Sequence, residues 1–168
     1  MDGQTTSSIY EVLDKAALFA PNSVCRLQVK GKAGRIDISD FTKSRISHSD
    51  NWATPRELYA TLDAEFHFND DPCPLCEHPI VDGLARPLGT STFMNPPYSN
   101  PGPWCEKAYN ESLLGKTVVG LLRGDTSTKW FHKWVLNKAS EIRFIEGRIR
   151  FNGKPAPFPS IIAVWRPK

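Results

Sequence analysis

"TFMNPPYSN", residues 92–100, decides how the rest of the chain is read. Thr92, Phe93 and Met94 form a short apolar run with the character of a buried strand, and it stops at an asparagine, two prolines and a tyrosine. Proline holds φ at about −65° and carries no N–H. The loop is therefore stiff, and it presents carbonyl oxygens and one side-chain amide. In open α/β sheets, ligands bind beyond the carboxyl ends of the strands. A buried strand that ends in so specialised a loop points to such a sheet, with Asn95 on its ligand side.

The flanking pattern agrees. Residues 54–66, "TPRELYATLDAEF", place a proline at a helix start and Leu58, Leu62 and Phe66 on one helical face. "FHFND" reads as a short strand ending in acids, and residues 72–90 as loop. "NPGPWCEKAYNESLLG" reads as a helix from about Pro103, closed by Gly115. "KTVVGLLR" (116–123) is a buried strand by its aliphatic run, and 126–139 a helix with a hydroxyl cap. Residues 141–151 read as two strands, or a strand and a turn, around "EG", and 159–167 as a last strand. Strands alternating with helices and then a strand-rich end predict an α/β sheet with an antiparallel edge. Before residue 49 the pattern differs: a helix over 7–19, then two strands around "KGKAG". The expected organisation is an N-terminal α+β extension over 1–48 and one compact domain over 49–168.

Chemistry follows from the loop. The Asn95 side-chain oxygen and the Pro96 carbonyl suit the two hydrogens of an exocyclic amino group, with Pro97 stiffening the turn. The nitrogen of an aromatic amine is a poor nucleophile because its lone pair is delocalised into the ring. Acceptors set out of the ring plane favour a tetrahedral nitrogen and stabilise the positive charge that develops on it, an oxyanion hole with the sign reversed. Tyr98 offers a face on which a base can stack, worth roughly 1–3 kcal/mol.

Composition bounds the alternatives. The chain has 168 residues, 40% hydrophobic and 23% charged, with a net charge of +3. No apolar run approaches the roughly 20 residues that span a bilayer, and the N-terminus lacks a secretory pattern, so a cytoplasmic location is expected. Residues 49–100 hold two basic and eight acidic side chains, whereas 101–168 hold twelve basic and five acidic. An acidic middle suits a cationic or polar ligand, and a basic last third suits a polyanion; solvated helix faces would produce the same split. Cys73 and Cys76 form a C-x-x-C followed by His78, which supplies too few ligands for zinc. No metal is expected.

Beyond the loop itself, the order "DNWATP", "FHFNDDPC", "DGL", "TFMNPPYSNPGPW", "LLRGDTSTKWFH", "GRIRF" and "APFPSIIAVW" resembles phage-type DNA adenine N6-methyltransferases over roughly residues 50–167. The resemblance implies a Rossmann-like class I methyltransferase sheet with an antiparallel C-terminal strand, and S-adenosylmethionine as cofactor. It implies that Trp52, Thr54 and Pro55 hold the methionine end of the cofactor and that Asp71, Pro72 and Cys73 form its loop. Asp82 would line the pocket near the adenosine or the target base. Asn95, Pro96, Pro97 and Tyr98 would act on a flipped adenine. The usual glycine-rich cofactor turn is absent, with no glycine between Asp71 and Gly83, and Glu77 and Asp82 compete for the ribose hydroxyls.

Double-stranded DNA is the expected partner, in the cytoplasm of a bacterial host, for a phage- or prophage-encoded enzyme. Arg123, Lys129, Lys133, Arg148 and Arg150 would meet phosphates, and Thr126 and Thr128 would lie near the flipped base. Arg148 and Arg150 alternate in a strand and share one face, turned to DNA or to solvent. The extension over 1–48 is a DNA-contacting arm, a dimer contact or a sheet extension. Competing functions are a catalytically dead, DNA-binding decoy on the same fold, or the same loop acting on cytosine N4, RNA adenine or a protein glutamine.

Overall fold

The computed structural model describes residues 52–75 and 82–168. The expected helix at 7–19, the two strands after it, Cys25, Cys76, Glu77 and His78 lie outside the described residues.

Helix α1, Arg56–Phe66, begins directly after Pro55, as the proline predicts. It stops at His67, which takes a left-handed φ of 51° and bonds back to the Asp63 carbonyl. The next residues run alongside β1 (Ser91–Met94): Asn69 and Asp70 exchange backbone hydrogen bonds with it, and Asp70 bridges Thr92 in parallel. Helix α2, Gly102–Leu113, follows the NPPY loop and gives way to Gly115, whose φ of 85° a side chain would strain. Strand β2 spans Thr117–Arg123, β3 Glu141–Phe144, and β6 Ser160–Trp165; β4 (Arg150–Phe151) and β5 (Lys154–Pro155) form a separate small hairpin.

The sheet order is β1-β2-β6-β3, with β1 and β2 parallel and β6 antiparallel to both of its neighbours. Strands β1, β2 and β3 therefore point one way, and β6 runs against them between β2 and β3. The reversed strand is interior, a correction to the antiparallel edge that the pattern suggested. The reason is burial: all six residues of β6, "SIIAVW", are buried, so both of its edges need partners. Strand β3, "EIRF", is partly exposed and charged, which suits an edge.

Period-two alternation divides the core. Phe93, Val119, Leu121, Ile162 and Val164 face α1 and the β4–β5 hairpin. Met94, Val118, Leu122, Ile161, Ala163 and Trp165 face α2 and the segment around Phe131. That segment departs from the expected helix over 126–139. It closes as one π-helical turn, Phe131–Val135, and leaves helical geometry at Leu136. The expected hydroxyl cap is not formed: the turn has no side-chain cap bond, and the Thr128 hydroxyl instead donates to the Asp125 carbonyl at 2.8 Å.

Candidate active site

Because β1 and β2 are parallel, the NPPY loop and the Arg123-Gly124-Asp125 turn emerge at the same edge of the sheet. The end of the Asp70 segment and the start of β6 meet them there. Among the described residues, four buried side-chain atoms have no hydrogen-bond partner: Asn95 Oδ1, Tyr98 Oη, Arg123 Nε and Ser160 Oγ. All four belong to this edge. Arg123 and Ser160 are register partners across β2 and β6, the Arg123 guanidinium lies 4.9 Å over the Phe158 ring, and Phe158 meets Tyr98 edge-on at 4.8 Å. Buried polar groups are nearly always paired, and a cluster of exceptions marks a place where something else supplies the partner.

Asn95 is half-buried, and its Nδ2 donates to the Trp52 carbonyl at 2.6 Å and to the Thr54 hydroxyl at 3.1 Å. The segment before α1 thus reaches the NPPY loop, and its polar groups hold the Asn95 amide. Pro96 is buried and Pro97 half-buried.

Tyr98 is only 4% exposed. Phe151 and Phe158, which belong to the β4–β5 hairpin and the chain leaving it, pack against its ring, and Trp52 packs against both phenylalanines. The Tyr98 ring is thus covered by its aromatic neighbours in this structure. Burial also pushes the Tyr98 phenol well above its ordinary range, so it stays protonated.

The second wall of the site comes from Asp71-Pro72-Cys73. Burial pushes the Asp71 carboxyl up to about 7; the Cys73 N–H, donated to Asp71 Oδ1 at 2.8 Å, and the nearby Arg86 pull the other way. The Cys73 sulfur accepts the backbone N–H of Asn95, and burial, with the Asp71 charge adding, keeps its thiol protonated. Gly83 closes against this loop so tightly that an added Cβ would sit 2.0 Å from the Pro72 carbonyl oxygen. Asp82 beside it is exposed and accepts the Leu84 N–H at 2.9 Å. Asp70 is held separately, by a two-pronged pair with Arg86 at 2.6 and 2.9 Å and by the Gly89 N–H.

The basic residues scatter more than the sequence suggested. Arg123 joins the site, paired with Asp125 at 2.9 Å. Arg148 and Arg150 are exposed while Ile149 and Phe151 between and after them are buried, but only Arg150 lies in a strand; Arg150 also donates to the Gly153 carbonyl. Lys129 and Thr126 are exposed, and Lys133 lies over the Trp134 ring. Sequence reasoning missed Ser160, Phe151 and Phe158 as site residues. Phe151 looked like an ordinary strand apolar and Phe158 lay just before the last strand, and only the hairpin that folds back over Tyr98 brings them to the loop.

Comparison with known proteins agrees with this geometry. The family model for DNA N-6-adenine-methyltransferase (Dam) matches residues 41–163. The chain belongs to that family. It is an adenine-specific DNA methyltransferase, and DNA and a methyl donor are its substrates. It is 36% identical over 125 residues to a DNA N-6-adenine-methyltransferase of Haemophilus phage HP1, covering 66% of this chain and 72% of the relative. It is 32% identical over 108 residues to one of Escherichia phage T1, covering 58% of this chain and 45% of that longer relative. Among the described residues no helix is long and apolar enough to cross a membrane, and no three potential metal ligands cluster.

Proposed function

We propose that this family member takes its methyl group from S-adenosylmethionine and delivers it to N6 of an adenine flipped out of double-stranded DNA, using Asn95 and Pro96 as acceptors for the amino hydrogens. The observation that carries the reading is Asn95 Oδ1: buried, unpartnered, and in a loop that ends a buried strand. An amino group arriving there gains a hydrogen bond and relieves an unsatisfied acceptor at once.

The cofactor supplies an electrophilic methyl group on a sulfonium centre. The residues present suit it: Asp71 and Asp82 make an acidic wall for a cationic, hydroxyl-bearing ligand, and Gly83 packs the loop behind them. Asn95 and the Pro96 carbonyl hold the target nitrogen with its lone pair free of the ring. The proton lost from nitrogen afterwards passes to water, so no side chain is required as a base beforehand. Tyr98, once uncovered, stacks on the adenine. Extruding a base costs a few kcal/mol, which phosphate contacts from Arg148, Arg150, Lys129 and Lys133 offset, with Thr126 and Thr128 at the rim.

In this reading the fold is a class I, Rossmann-like methyltransferase sheet in which β6 is the characteristic reversed strand. Residues 49–168 are the catalytic unit and 1–48 an extension. A phage or prophage encodes the chain, which works in the bacterial cytoplasm. The test is expression of the chain and its Asn95→Ala variant in a host lacking adenine methylation, with mass spectrometry of the digested DNA. N6-methyladenine from the native chain and at least a hundredfold less from the variant is the expected result, by comparison with loss of one preorganised electrostatic partner. N4-methylcytosine instead would move the substrate, and soluble native chain yielding neither base would sink the proposal.

A further inference from the structure

Asn95 has to present an oxygen, yet a side-chain amide can be turned either way at almost no change in shape. Turned over, its NH2 would face the hydrogens of the target amine and repel them. What decides the matter lies in the segment before α1. Asn95 Nδ2 meets the Trp52 carbonyl at 2.6 Å and the Thr54 hydroxyl at 3.1 Å. A carbonyl oxygen only accepts, so the amide atom facing Trp52 must be the donor. Both Nδ2 hydrogens are then engaged, and Oδ1 is left buried and unpartnered.

We propose that Thr54, together with the Trp52 carbonyl, is a positioning residue for methyl transfer: it fixes the Asn95 amide with its oxygen toward the target nitrogen. This rests on the reading of Asn95 as acceptor for the adenine amino group, and it assigns the Trp52–Pro55 segment a task besides the cofactor contact implied by its sequence. The segment is well held for that purpose. The Trp52 ring packs at 5.1 Å against Phe151, and the Pro55 carbonyl accepts the Tyr59 N–H in the first turn of α1. Thr54 does not touch the reacting atoms; it acts through Asn95.

The experiment uses the full chain with Thr54→Val, Thr54→Ser and Thr54→Ala, S-adenosylmethionine, and DNA from a host lacking adenine methylation. Thr54→Val keeps the shape and removes the hydroxyl, leaving one Nδ2 hydrogen unpaired. Its kcat is expected to fall about tenfold, the effect of one unmet buried donor, with KM for DNA within about twofold of native, since only the reacting geometry is disturbed. Thr54→Ser restores kcat, and Thr54→Ala repeats the loss should the valine variant misfold. A second readout needs no catalysis. In 15N-labelled protein without ligand, the Asn95 side-chain NH2 exchanges slowly with solvent in the native and serine forms and faster in the valine form. Native kcat in Thr54→Val with unchanged Asn95 exchange would overturn the proposal, as would a serine variant no better than valine, or a loss confined to KM. A native chain that makes no N6-methyladenine defeats the reading of the site itself. The exchange measurement then still decides whether Thr54 orients the amide.

Discussion

The carboxyl ends of β1 and β2 and the outer edge at β3 are both rich in polar groups, and they are handled in opposite ways. At β3, Arg143 forms two bonds of 2.6 Å with Glu65 and one of 2.7 Å with Glu141, and Arg166 approaches both acids. The Arg143 guanidinium holds both carboxyls below their usual range. At the other end, burial pushes the Asp71 carboxyl up to about 7, and four buried polar atoms stand without partners. A closed network on a solvated edge protects the edge from pairing with other chains. A set of unmet buried groups costs stability unless a ligand or ordered water supplies the partners.

Three changes sharpen this contrast, in falling order of effect. Replacing Arg148 and Arg150 together by alanine should weaken DNA binding and flatten the salt dependence of its affinity by about 2 in the log–log slope, because each phosphate contact contributes about 0.9. Titration at several salt concentrations measures it, and an unchanged slope removes the pair from the interface. Next comes Asp71→Asn. An acid whose folded pKa lies near 7 binds a proton that the unfolded chain has already lost above about pH 4. Its contribution to stability therefore declines as pH rises from about 4 to about 7 and is level beyond. Thermal midpoints at pH 5 and pH 8 should fall further in the native chain than in Asp71→Asn; equal falls would mean that Asp71 ionises freely. The smallest effect belongs to Arg143→Ala. Exposed ion pairs contribute little, so the variant should lose a few degrees of thermal midpoint at most and keep its DNA affinity. A clear loss of affinity would make the β3 edge part of the DNA surface and blur the contrast.

Much of this molecule was legible from local chemistry. Pro55 announced α1, the β-branched run of β2 announced a buried strand, Asn95-Pro96-Pro97-Tyr98 announced the amino-directed chemistry, and its combination with the flanking motifs announced the family. The π turn at Phe131–Val135 was not legible, because an apolar period does not report whether a backbone carbonyl is met four or five residues later. The interior place of β6 was equally hidden. Its apolar composition said that it is buried, but not between which strands.

The sequence by itself determined the residue types at the carboxyl end of β1 and the reaction they favour, since stiffness, acceptor groups and an amide are properties of the residues. Only the tertiary structure decided how those groups are aimed. Thr54 and the Trp52 carbonyl turn the Asn95 amide, the hairpin lays Phe151 and Phe158 over Tyr98, and Gly83 closes against Pro72. Each is a contact between segments far apart in the chain, and the direction of a hydrogen bond exists only once both ends are in place.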